Sequence, residues 1–313
     1  MIREYRTICD LSEHFFTAGK IQDVFCGELG EILLPNGETR SFQVLEIVGD
    51  TVLAALFSTP IGVGTDTCKV RFFGYGLELS LSEDLLGRTW SSFGEALDGG
   101  PAVLPEKYAS VIAQPINPLA RERSGKEVQI DIPEIDKAEQ LYLGGRRTIL
   151  SDPDSSIVET VTRIARQVKI SNEERSPFTI VIAATALSFA KREHLKAELR
   201  RCGLTAQTVL FASSPEDRPI LHLAAPYTAM RAAEYFAFEK ERHVLFIAAD
   251  WAAYAEAFAQ AMQSVSIATW ETPGRAGNPP SYPYADFAAL EERVGCRKGC
   301  GGSITMLSIL AED

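Results

Sequence analysis

Apolar residues along this chain fall into two regimes. Up to about Leu79 they come in short stretches broken by turn signals: Glu31-Ile32-Leu33-Leu34 runs into Pro35-Asn36-Gly37, and Phe42–Val48 and Val52–Phe57 flank Gly49-Asp50. Two short apolar runs separated by Gly-Asp predict a hairpin, and the region reads as a small all-β module. Arg71 to Leu79 and the Gly- and Pro-rich tract from Gly87 to Pro118 show little periodicity and read as a connector. A boundary near residues 75–85 follows, giving domains 1–78 and 79–313.

Beyond the connector the pattern changes to longer apolar runs alternating with helical periodicity. Ile149-Leu150 ends a short strand, and Ile157, Val161, Ile164, Ala165 and Val168 recur at helical spacing. Phe178–Ala183, Val209–Ala212, Val244–Ala249 and Ser303–Leu310 predict buried strands. Leu187–Cys202, closed by Gly203, predicts a helix, as do Pro226–His243 opening on proline, Trp251–Met262 and Ala285–Val294. The segment Thr272–Tyr284, with Tyr282 and Tyr284, reads as a long loop. Near-continuous apolar strands alternating with helices mark a mostly parallel sheet covered on both faces, and such sheets bind ligands at the carboxyl ends of their strands.

Charge and composition narrow the function. The 313 residues include 31 Lys and Arg against 42 Asp and Glu, a net charge of −11, with no basic block to follow a nucleic-acid backbone. Nucleic acid is therefore excluded as a partner. No run reaches the roughly 20 apolar residues of a membrane span, and Met1–His14 lacks a signal-peptide core, so the expectation is a cytoplasmic protein with no membrane insertion. Six cysteines scattered over a long chain read as reduced thiols. Cys296 and Cys300 flank a Gly-rich turn, and no histidine cluster accompanies them, so no metal site is expected.

The chemistry-bearing position is the junction Ser151-Asp152-Pro153-Asp154-Ser155-Ser156, between the Ile149-Leu150 strand and the following helix. A phosphate-binding loop at such a junction reads G-x-x-x-x-G-K-[ST], because glycines let backbone N–H groups curl around phosphate oxygens while the lysine neutralises charge. Here the glycines and the lysine are absent, two carboxylates occupy the junction, and Pro153 has no N–H to donate. Asp250, closing the strand Val244–Ala249, is a weak candidate for a Mg²⁺-site-like role, since an aspartate after a strand and before a helix is more often a helix N-cap. His14, His194, His222 and His243 show no spacing for a triad, and no catalytic residue is assigned.

The order of segments EYRTICDLSE, SFQVLEIVGD, SEDLLGR with downstream DGGP, PINPLAR (Pro115–Arg121), IARQVK, AAEYFAFEK (Ala232–Lys240) and KGCGGSITMLSIL resembles the B subunit of V/A-type rotary ATPases and ATP synthases over essentially the whole chain. The resemblance implies an N-terminal β-barrel followed by a P-loop-NTPase-like (RecA-like) α/β domain. It implies a non-catalytic regulatory subunit alternating with catalytic A-type subunits in a hexameric ring, alongside other rotary ATPase subunits, peripheral to the membrane and coupled to ion transport. ATP or ADP then belongs at an interface with an A-type subunit, not to this chain alone.

Two departures stand out. The family's degenerate loop keeps a Ser-Gly-Ser-Gly pattern, onto which Ser151, Asp152, Pro153 and Asp154 fall, so both glycines have become aspartates. Repulsion and lost N–H donors both oppose phosphate, and the expectation is that this site binds no nucleotide. The family also continues, past the position of Asp313, into an arginine that reaches the neighbouring A-type site and into a helical domain, which is expected to be absent here. Neither Arg275 nor Arg293 lies in the matching segment. The alternative is a truncated, diverged paralogue that acts as a structural or interaction protein with no part in turnover.

Overall fold

The computed structural model describes residues 3–130, 132, 140–151, 156–171, 178–270 and 288–311, the side chains of 261–270 and 311 excepted. They divide into two compact units. The first takes in the chain up to Glu78, together with Arg218–Leu221 and the later part of the helix that begins at Trp251. Its strands are β1 (Arg3–Tyr5), β2 (Ile8–Leu11), β3 (Phe15–Ala18), β4 (Glu28–Leu33), β5 (Thr39–Val48), β6 (Thr51–Leu56) and β7 (Lys69–Gly76). They form one seven-stranded antiparallel sheet in the order β1-β7-β4-β5-β6-β3-β2.

Burial along β4 alternates residue by residue, the mark of a sheet with one buried face. On that face Phe42 meets Phe16 and Phe72 edge-on, with ring centroids 4.9 and 5.3 Å apart. The predicted hairpin forms as β5 and β6, pairing Val48 with Thr51 around Gly49, whose φ of +65° fits the first central position of a tight hairpin turn. Arg71–Leu79 does not behave as a connector. Most of it lies in β7, an interior strand between β1 and β4, because partners on both sides satisfy its backbone and bury Val70 and Phe72 despite a weak local pattern.

The second unit holds β8 (Arg146–Ser151), α1 (Ile157–Gln167), β9 (Phe178–Ala184), α2 (Phe189–Arg201), β10 (Thr208–Ala212), most of α3 (Pro219–Glu234), β11 (His243–Ala249), the start of α4 (Trp251–Trp270) and β12 (Ser303–Ala311). These five strands pair in parallel in the order β8-β12-β11-β9-β10. A short strand Thr89–Trp90 extends the sheet beyond β10, and Gly295–Arg297 pairs antiparallel with the start of β12. Every residue of β9 and of β10 is buried, as expected for strands covered on both faces.

Two helices differ from expectation. A proline does open α3, but it is Pro219, while Pro226 lies inside the helix. Burial of Ala225, Ala229, Met230, Ala232 and Ala233 outweighs the hydrogen bond that Pro226 cannot donate. Helix α4 runs past Met262 to Trp270, because no Gly or Pro interrupts it before Pro273.

After Glu234 the chain makes a π-helical turn, Tyr235–Glu239. This turn is fixed from two sides. Glu234, 4% exposed, accepts hydrogen bonds from Nε and Nη2 of Arg293 at 2.8 and 2.9 Å and from Arg231 at 2.7 Å. Gly302, leading into β12, packs so closely that a Cβ would collide with the Ala237 carbonyl. Arg293, 1% exposed, is thus a buried structural cation. Arg275 and the Tyr282–Tyr284 loop lie outside the described residues.

Candidate functional site

Because β8 to β12 run parallel, their carboxyl ends share one edge of the sheet, and each ends in a short or polar side chain. Ala184 is level with Ala249 on one side and Ala212 on the other. The three following residues, Thr185, Asp250 and Ser213, therefore stand side by side. The strand–loop–helix frame predicted from the sequence is present at the same edge, with β8 ending at Ser151 and α1 beginning at Ile157. One strand, β12, separates β8 from β11, so Ser151 and Asp250 belong to strands about 10 Å apart.

Of the six junction residues, Asp152, Pro153, Asp154 and Ser155 lie outside the described residues, and the two flanks are described. Ser151 is buried, with its hydroxyl 3.3 Å from that of Thr160 on the second turn of α1. Ser156 has extended backbone angles, and its hydroxyl accepts the Val158 N–H at 3.3 Å. That is an N-cap, and it takes up one of the N–H groups a phosphate would otherwise use. Glu159 adds a carboxylate to the first turn of the same helix. It favours the positive helix end but opposes an incoming anion.

Asp250 is engaged in the same way. Its Oδ1 accepts the Ala253 N–H at 3.1 Å, capping α4, and its backbone sits at a φ of +60°. Ala186, just past the end of the adjacent β9, has a φ of +52°. A non-glycine residue in this region costs roughly 1 to 3 kcal/mol, and such strain gathers where structure serves a site. Both positions mark the carboxyl edge as tightly determined. Among the described residues no group of three His, Cys, Asp or Glu side chains is placed to hold a metal ion.

Sequence reasoning missed the most enclosed polar pair at this edge. Ser213 is fully buried, its hydroxyl accepting the Ala186 N–H at 3.0 Å and lying 2.9 Å from His222 Nδ1. The Ser213 hydroxyl and the His222 imidazole share one hydrogen bond, whose direction follows the imidazole tautomer. Burial pushes the His222 pKa below its usual value, against a smaller opposing effect of Asp217. Nine residues separate Ser213 from His222, spanning a loop and the start of α3, and no motif marks that spacing.

The flanks of the junction and Asp250 thus hydrogen-bond local backbone or hydroxyl groups. The frame has a counterpart among known proteins. Residues 132–313 match the model of the ATP synthase alpha/beta family, nucleotide-binding domain, which has a P-loop NTPase fold. That stretch covers more than half of the 313 residues and contains β8 to β12 with their helices, so the chain belongs to the ATP synthase alpha/beta family.

Proposed function

We propose that this chain is a non-catalytic, B-type member of the family, which alternates with A-type catalytic subunits in the ring of a V/A-type rotary ATPase or ATP synthase. Family membership implies the rotary-ATPase setting, and the ordered motifs PINPLAR and AAEYFAFEK support the B-type assignment. The observation that carries the non-catalytic reading is the internal capping of the candidate site. Ser156 takes the Val158 N–H and Asp250 takes the Ala253 N–H, while the phosphate lysine is absent from the sequence. A loop with aspartates at residues 152 and 154 adds like charge where a phosphate would sit.

In this reading ATP or ADP binds at the interface with an A-type subunit, and the chain itself is peripheral to the membrane on the cytoplasmic side. No helix among the described residues is long and apolar enough to cross a membrane. Two measurements test the assignment. Co-expression with an A-type subunit is expected to yield an alternating complex by native mass spectrometry. Calorimetry of the isolated chain with Mg-ATP is expected to show no binding, and a dissociation constant in the low micromolar range would overturn the non-catalytic reading.

A further inference from the structure

In the first unit two side chains meet just ahead of β3. Arg218, immediately before the start of α3 at Pro219, directs Nη1 to the Glu13 carbonyl at 2.5 Å and to Nδ1 of His14 at 2.7 Å. A guanidinium offers no acceptor and keeps its proton, so Nδ1 is the acceptor of this bond. His14 is therefore a neutral imidazole with its proton on Nε2. The Arg218 carbonyl also accepts the Leu221 N–H at 2.8 Å, closing the first turn of α3.

One cation and one carboxylate govern the charge state of this ring. The Phe15 ring stands edge-on to it at 6.2 Å, and β6 approaches through the Leu56 N–H, which donates to the His14 carbonyl at 2.8 Å. The charged groups acting on the imidazole are Arg218 and Glu13. Burial first, and the Arg218 charge second, hold the His14 pKa below its ordinary 6.5, against a smaller opposing effect of Glu13.

Histidine is the side chain whose charge changes nearest neutral pH, and here the change reverses the contact. We propose that His14 and Arg218 form an acid-released latch on the head of α3. A proton taken from solvent onto Nδ1 converts the acceptor into an N–H donor and sets two cations face to face, so the bond breaks and Arg218–Leu221 is freed from the entry to β3. The bond to the Glu13 carbonyl uses the same Nη1 beside the new charge and weakens with it. The latch is closed above pH 6.5 and opens as the pH falls toward the folded-state pKa. It is distinct from His222, whose partner is the Ser213 hydroxyl, and it does not rest on the B-type reading.

Two measurements on the full chain test the latch. Titration of the four histidines by NMR gives the His14 pKa, expected below 6.5 in the wild type and higher in Arg218→Ala. Hydrogen exchange read by mass spectrometry follows the peptide containing the Leu221 amide. After correction for intrinsic rates, its exchange is expected to be severalfold faster at about pH 5.5 than at about pH 7.5. His14→Asn keeps an acceptor in the place of Nδ1 but does not titrate, so it should exchange slowly at both pH values, while Arg218→Ala should exchange fast at both. A His14 pKa unmoved in Arg218→Ala, equal corrected exchange at the two pH values in the wild type, or a pH difference that survives in His14→Asn would overturn the proposal. The last result would assign the opening to another group, such as His222. Circular dichroism of each variant verifies folding, and the wild-type exchange stands as a test without either variant.

Discussion

The two edges of the parallel sheet differ in how their polar groups are satisfied. At the carboxyl edge, where open α/β sheets bind ligands, Ser156, Asp250 and Ser213 each hydrogen-bond a nearby backbone N–H or side chain. At the amino edge, the buried Thr205 hydroxyl has no partner among the described residues. Local capping at one edge engages single backbone N–H groups, while at the other a buried hydroxyl stays without a protein partner.

Both edges hang on one core, and the largest expected effect comes from opening it. Ile182 is fully buried in β9, and Ile182→Ala is expected to lose about 2 to 5 kcal/mol in denaturant unfolding. A loss confined to one edge would show that the edges are not held by a common core.

A smaller change isolates the carboxyl edge. Asp250→Ala is expected to cost roughly 2 kcal/mol, about 1 for the lost cap and a similar amount for placing alanine at positive φ. Asp250→Asn keeps both properties and should stay within about 0.5 kcal/mol. If Asn proves as costly as Ala in thermal unfolding, the carboxylate charge matters and the capping account fails.

Ser156→Ala is expected to destabilise by about 1 kcal/mol and Ser156→Gly by only a few tenths, independent of added nucleotide. A difference seen only with Mg-ATP present would restore a phosphate role to this flank. The smallest effect is one of pH. His222 has a folded-state pKa below its ordinary 6.5, so the unfolded chain binds more protons as pH falls through that value. Stability supplied by the neutral imidazole is present above pH 6.5 and is lost as the pH drops toward the folded-state pKa. His222→Asn should flatten the fall in stability below about pH 6.5. An unchanged slope would place the proton uptake on another group.

Much of this fold is legible in the sequence. Where a run such as Phe178–Ala183 is apolar but for Thr179, burial on both faces is the arrangement that hides it, and β9 follows. The stop at Gly203 obeys local backbone chemistry that neighbouring residues state directly. β7 was illegible because its stability comes from two flanking strands distant in sequence, and the extent of α3 because buried alanines override Pro226. The Ser213–His222 pair and the His14–Arg218 contact are likewise absent from any local pattern.

The sequence by itself determined the alternation of strand and helix, the missing phosphate lysine, the aspartates at residues 152 and 154, and the motif order that pointed to rotary ATPases. These are properties of neighbours along the chain, fixed by periodicity, charge and backbone freedom. Only the tertiary structure decided that Asp250 and Ser156 cap helices, that Arg293 and Glu234 form a buried pair, and which donors remain unpaired at each edge. Pairing depends on distances between residues remote in sequence, and those distances exist only once the sheet has set β8, β9, β10, β11 and β12 in register.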